Sequence, residues 1–329
     1  VNSASFLRLL ALTAFAAGLM LAAARAQDVA AGTVSDLPKP AHVRIFPDLP
    51  YVPDAKPHQK LDLYLPSPVP GDPLPLIVYL HGGGWKKGGK ADGRSFAFRM
   101  VARGYAVACV DYRLSSEELF PAQLEDCKAA VRWLRDNAER YRLDPDHFGA
   151  MGVSAGGYLA SMLGVTRSTL LFDVGERLNQ SSSVLAVCDF FGPTDLLQLH
   201  EYSAAAGTPQ ADEIVSLLGG DPHVQKLQTR KANPLTYLDG NAATFLLIQG
   251  TNDTVVPPAQ SRLLYDALAK QHILVHLHLI HDAGHTGPAF VAPDINELVD
   301  KFFSRVLKPG SQPGDPQPAF ITESTAAKN

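Results

Sequence analysis

The chain alternates short apolar runs with longer segments of helical periodicity. Leu76, Ile77, Val78, Tyr79 and Leu80 form a continuous apolar run, the pattern of a strand buried on both faces of a sheet. Residues 105–110 repeat that pattern, residues 184–191 and 244–249 also read as strands, and residues 274–280 alternate in the manner of a strand. Residues 61–65 alternate apolar and polar side chains, as an edge strand does. Residues 121–140 carry apolar positions at Leu124, Cys127, Ala130, Val131 and Leu134, one stripe of an amphipathic helix. Helical patterns also cover residues 96–103, 259–271 and 295–307. Buried strands alternating with helices predict an α/β fold, a mostly parallel central sheet with helices on both faces. The predicted domain spans residues 58–307. Within it, residues 194–240 show no strong strand and are expected to form a lid or insertion. Residues 27–57 hold prolines at 38, 40, 47, 50, 53 and 57 and read as an extended lead-in. Residues 308–329 have few large apolar side chains and are expected to be a disordered tail.

Composition adds bounds. The 329 residues are 46% hydrophobic and 19% charged, enough for one large core. A net charge of −4 argues against nucleic acid as a partner. Residues 5–26 hold Arg8, an apolar stretch and Ala24-Arg25-Ala26, the pattern of a secretory signal peptide spanning residues 1–26. Cleavage after Ala26 would leave no stable membrane anchor and a secreted or periplasmic product. It would remove Arg8 and Arg25 and no acid, taking the charge from −4 to −6. The three cysteines, Cys109, Cys127 and Cys188, lack the tight spacing of a zinc site or a disulfide framework. They read as buried thiols, with pairing of any two left open.

In a parallel sheet, ligands bind at the carboxyl ends of the strands. The residues that follow the predicted strands are His81-Gly82-Gly83-Gly84, Asp111, Ser154, Gly192 to Asp195, Asp253 and His285. Ser154 lies in Gly152-Val153-Ser154-Ala155-Gly156, the Gly-x-Ser-x-Gly pattern of a nucleophile on a sharp strand-to-helix turn. A serine needs a base, and the base needs a group that holds its tautomer. Asp253 stands 99 residues after Ser154, and His285 stands 32 after Asp253, each in the loop after a strand of its own. Asp195, Asp282 and His281 are rivals; His285 is preferred because it lies past Gly284 in a turn. Developing oxyanion charge needs preorganised donors, and the amides of Ala155, Gly83 and Gly84 offer them. His276 and His278 point to one face of a strand, but no Cys or Glu nearby completes a metal site. Residues 84–90 nearly match a phosphate-binding loop, but Ala91 stands where Ser or Thr would hold Mg²⁺.

Together these residues resemble the α/β-hydrolase superfamily, nearest to its hormone-sensitive-lipase-like and feruloyl-esterase-like carboxylesterases. The resemblance is carried by His81-Gly-Gly-Gly-Trp85, Asp111-Tyr-Arg-Leu114, the run from Phe120 to Asp126, the Gly152–Gly157 turn, and Gly250-Thr-Asn-Asp253 with Pro257. It implies a triad of Ser154, Asp253 and His285 and an oxyanion hole at Gly83, Gly84 and Ala155. Trp85 is expected at the mouth of the site as a substrate contact, and Arg113 with Asp126 as a structural ion pair. Val153 replaces the acidic residue usual before the serine in the lipase-like branch, and the expected signal peptide and Pro-rich strand stand where that branch carries a helical cap. Both departures favour the secreted feruloyl-esterase-like branch, often tied to plant-polysaccharide esters. The expectation is a serine carboxylester hydrolase without cofactor or metal, acting on small-molecule or carbohydrate-linked esters. A serine peptidase of the prolyl-oligopeptidase type and a non-catalytic binding protein on this scaffold are the alternatives.

Overall fold

The computed structural model describes residues 40–308, 310 and 319–326. The leader reading of residues 1–26 lies outside them. Nine strands form one sheet in the order β1-β2-β4-β3-β5-β6-β7-β8-β9. They are β1 (Val43–Pro50), β2 (Lys60–Pro66), β3 (Leu74–Leu80), β4 (Ala106–Val110), β5 (Leu143–Val153), β6 (Ala186–Phe190), β7 (Thr244–Gly250), β8 (Val275–His281) and β9 (Ala319–Thr325). The pairings of β1 with β2 and of β2 with β4 are antiparallel, and all others are parallel. The helices are α1 (Arg94–Val101), α2 (Ala122–Asp136), α3 (Ala138–Tyr141), α4 (Ala155–Val165), α5 (Leu196–Ala206), α6 (Gln210–Leu218), α7 (Lys226–Lys231), α8 (Pro258–Lys270) and α9 (Pro293–Leu307).

The period-2 alternation of the strands splits the core in two. Leu76, Val78 and Leu80 of β3 pack with Leu124 and Val131 of α2, Leu159 of α4 and Leu264 of α8. Ile77 and Tyr79 face the other way, toward Met100 and Val101 of α1 and Val299 and Phe303 of α9. Every residue of β3, β4 and β6 is buried, Asp189 of β6 included. Part of the polar face of α2 is buried. Lys128 and Arg132 are both buried and pair with Asp173, at 2.9 and 2.5 Å.

The sheet extends beyond the expected domain at both ends. The proline-rich lead-in supplies β1, which pairs with β2, so residues 61–65 are not the edge. Pro47 and Pro50 are tolerated because β1 is the outermost strand, with an irregularity between Phe46 and Leu49. The tail expected to be disordered contains β9, parallel to β8. Its partners explain why composition hid it. Phe320 stacks on His276 with centroids 4.0 Å apart. Thr322 Oγ1 lies 2.5 Å from His276 Nε2 and 2.7 Å from His278 Nδ1, and Ser324 Oγ lies 2.9 Å from His278 Nε2. The two histidines thus help to hold β9 through its hydroxyls.

Burial, then the neighbouring His278, pushes His276 down to about 4, and burial also lowers His278. Both rings are neutral in the fold, whereas an unfolded chain protonates them near 6.5. Stability from this seam is therefore present above about pH 6.5 and lost as pH falls toward 4. Amide exchange in β9, corrected for intrinsic rate, should accelerate about tenfold between pH 7 and pH 4.5. Unchanged protection would show that the ring nitrogens do not hold the strand.

Candidate active site

Ser154 sits between the end of β5 and the first residue of α4 with φ 53° and ψ −120°, a sparsely populated conformation for a residue with a Cβ. The flanking glycines make the turn possible. A Cβ on Gly152 would lie 2.1 Å from the Gly156 carbonyl oxygen, and one on Gly156 would lie 2.1 Å from that of Leu80. Both are closer than any side chain allows, so the backbones of β3, β5 and α4 meet only because these positions are bare. The Ser154 amide donates to the Phe190 carbonyl (2.9 Å), and its own carbonyl accepts from Tyr158 (3.0 Å). The hydroxyl is held at a helix N-terminus, where amides are unpaired.

Two further loops bring Asp253 and His285 to Ser154. The Ser154 hydroxyl donates to His285 Nε2 at 2.9 Å, and His285 Nδ1 donates to Asp253 Oδ2 at 2.7 Å. The tautomer follows from Asp253. Its Oδ1 already accepts the amides of Val255 and Val256, each at 2.9 Å, so the carboxylate is the acceptor throughout. Asp253 is only 3% exposed. Phe191 packs on the imidazole with centroids 4.6 Å apart. The rivals are engaged elsewhere. Asp195 caps α5 by accepting the amides of Leu197 and Gln198. His281 pairs with Glu323 at 2.6 Å, and Asp282 is exposed.

The glycine loop after β3 divides its work. Gly84 (φ 59°) lines the cleft over Ser154 together with Ala155. Gly83 (φ 109°) serves the turn: its carbonyl accepts the amides of Lys86 and Lys87, at 3.1 and 3.2 Å. The amides of Gly83 and Gly84 donate to no other described residue, and that of Ala155 opens α4 without an intrahelical partner. Trp85 is 3% exposed, so it forms a wall of the cleft rather than its mouth. Its indole packs edge-on against Tyr158 at 5.3 Å. Lys90, the lysine of the near phosphate loop, pairs with Asp62 at 2.9 Å and Asp48 at 3.2 Å. Arg113 and Asp126 form a two-pronged pair at 2.8 and 2.9 Å, away from the serine's partners. Cys109, Cys127 and Cys188 are buried and unpaired.

Residues 61–268 match the family described as BD-FAE, well over half of the chain. The chain belongs to the BD-FAE family. Its sheet and helices form the α/β-hydrolase fold shared with solved esterases. A truncated carbohydrate esterase from gut microbiota is 27% identical with a TM-score of 0.70, covering 79% of this chain and 95% of that one. Inhibited Esterase B from Lactobacillus rhamnosis is 25% identical with a TM-score of 0.71, covering 89% and 95%. Esterase LipC of Mycobacterium tuberculosis is 28% identical over 213 residues, 64% of this chain and 52% of the relative. The chain spans about half the length of the curated relatives it matches first.

Several residues around this BD-FAE site had no motif to betray them. Gln249, at 0% exposure on β7, donates through Nε2 to Asp253 Oδ2 at 3.0 Å and accepts the Ser261 hydroxyl at 2.8 Å. It fixes the carboxylate from the side opposite the amides. Asp189 accepts the Ser161 hydroxyl (2.6 Å) and the Gly192 amide (2.8 Å) beneath α4, and burial pushes its carboxyl up to about 6. From the segment expected as a lid, α5 and α6 contribute Leu199, Gln210, Glu213 and Ile214 to the cleft. For Gln249 and Asp189 the sequence signal is a polar residue near the end of a buried strand, just before a site loop; Gln210 and Glu213, on a helix, carry none.

Gln249→Leu should lower unfolding stability by about 1–3 kcal/mol, because Asp253 and Ser261 each lose a buried partner. Urea denaturation checks it. A change within about 0.5 kcal/mol would mean that the carboxylate is held well enough without Gln249.

Proposed function

We propose that this chain hydrolyses carboxylic esters through an acyl-enzyme on Ser154. The observation that carries the reading is the unbroken hydrogen-bond chain from Ser154 through His285 to Asp253, at a strained turn beside unpaired amides. His285 Nε2 takes the hydroxyl proton as Ser154 Oγ bonds to the carbonyl carbon. Asp253 stabilises the imidazolium and keeps Nδ1 as the donor. The carbonyl oxygen becomes an oxyanion, stabilised by amides of Ala155 and the Gly83-Gly84 loop. The tetrahedral adduct expels the alcohol, which receives the proton from His285. Water then repeats the sequence, with His285 as base, and releases the acid. Each oxyanion donor of this kind is worth about 10²–10³ in kcat. The reaction draws on no cofactor.

The lining of the cleft supports short acyl groups: Leu199, Ile214 and Val256 close in on Ser154 and Ala155. Cavities of 330 and 530 Å³ lie away from the serine and share none of its residues. Acetyl or other short acyl esters of plant-polysaccharide type are favoured over feruloyl esters. The carbohydrate-esterase description of one structural relative supports that substrate class. Residues 5–26 support export, and hence a secreted or periplasmic enzyme. Among the described residues no helix is long and apolar enough to cross a membrane.

A fluorophosphonate probe should label the wild-type protein on Ser154. Ser154→Ala should lose the label and about 10⁴-fold or more of its turnover of p-nitrophenyl acetate. Labelling that survives the substitution would sink the assignment. Across acyl chains, kcat/KM should fall at least about tenfold from p-nitrophenyl acetate to the octanoate. Methyl ferulate turned over faster than short-chain methyl esters would overturn the short-acyl reading.

A further inference from the structure

The cleft over Ser154 also holds polar groups that ester hydrolysis does not use. Gln210 and Glu213 line it from α6, three residues apart and therefore on one face of that helix. A Cβ on Gly84 would lie 2.2 Å from the Glu213 carboxyl carbon and 2.3 and 2.5 Å from its oxygens. The carboxylate thus fills the space that a side chain at position 84 would take, directly against the glycine loop. Among the described residues no ion pair or side-chain hydrogen bond engages it; Lys86 and Lys87 supply the nearby positive charge. Burial raises its pKa, as expected for a carboxylate without donors. Gln210 Oε1 is buried without a hydrogen-bond donor, and Trp85 Nε1 is buried without an acceptor. Native proteins leave few such atoms unpaired, and those they do leave call for an explanation. Here they converge on one cleft, beside the nucleophile.

We propose that Gln210 and Glu213 form an acceptor pair that sets specificity, taking hydroxyl donors next to the scissile bond of a neutral sugar or polyol ester. The inference rests on the ester-hydrolase reading above. Two acceptors on successive positions of one helix face match neighbouring hydroxyls of a substrate. The Glu213 carboxylate also acts against substrates that carry a negative charge near the ester, because like charges in a desolvated cleft repel strongly. The donor on Trp85 supplies the complementary contact to a substrate oxygen. Position 84 must be glycine in this arrangement, since any side chain there would displace the carboxylate.

The test uses ratios of kcat/KM measured on one preparation, so the fraction of folded enzyme cancels. The first ratio compares a mono-O-acetyl methyl xyloside, which keeps free hydroxyls, with its per-acetylated form, which has none. Glu213→Leu and Gln210→Leu should each lower this ratio about tenfold relative to wild type. The second ratio compares mono-p-nitrophenyl succinate, an anion, with neutral p-nitrophenyl butyrate. Glu213→Gln should raise it about tenfold. Ratios within twofold of wild type in an active enzyme would overturn the acceptor pair and leave ester hydrolysis standing. A wild-type protein that turns over none of these esters and takes no fluorophosphonate label would overturn both.

Discussion

Everything in this site depends on one forbidden overlap. The Ser154 backbone adopts a positive φ because β3, β5 and α4 approach closer than side chains permit, with Gly152 and Gly156 bare at the contact. A conformation of this kind is strained by about 1–3 kcal/mol and persists only when its surroundings over-determine it. Here they do. All eleven residues of α4 are buried, the Ser154 amide is tied to the end of β6, and Asp189 is locked beneath the helix by Ser161 and Gly192. The core thus supplies the stability that the turn gives up. The hydroxyl gains a position that its neighbours cannot relax.

The parallel sheet does the rest of the assembly. Because β3, β5, β7 and β8 run in one direction, their carboxyl ends share an edge, and loops distant in sequence meet there. Position on that edge is necessary but not sufficient. Asp195, Asp111 and His281 stand at the same edge, yet Asp195 caps a helix, Asp111 accepts the Lys90 amide at 2.6 Å and His281 pairs with Glu323. What separates Asp253 is burial with every acceptor site engaged: two amides, the Gln249 side chain and His285. A carboxylate so held cannot rotate, and the imidazole it orients inherits that rigidity.

Access is a separate matter from chemistry. The roof of α5 and α6 is built from a segment with no strand character, inserted between β6 and β7. It narrows the space over the serine and lines it with a carboxylate and an amide as well as Leu199 and Ile214. Folds of this class keep a common core and differ in such coverings, so specificity is to be sought in the roof. The juxtaposition of Glu213 with Gly84 ties the two parts together, since the same bare glycine belongs to the loop after β3 and seats the carboxylate.

What the chain alone determined was everything encoded in local pattern. The apolar run from Leu76 to Leu80, the stripe on α2 and the Gly-x-Ser-x-Gly turn are short-range signals, and each specifies a strand, a helix or a turn by sterics and burial. Ser154, Asp253 and His285 were legible because each stands in a loop that follows such a strand. The partnerships between elements were not legible. Strand β9 was not legible because it depends on pairing with β8 and on hydrogen bonds from the Thr322 and Ser324 hydroxyls to His276 and His278, more than forty residues away. Prolines 47 and 50 disguised β1, whose strand character depends on being outermost. Gln249 and Glu213 looked like ordinary polar residues until the fold buried one beneath Asp253 and set the other against Gly84. Burial and unpaired hydrogen-bonding capacity are properties of a three-dimensional neighbourhood, and only the tertiary structure decides them.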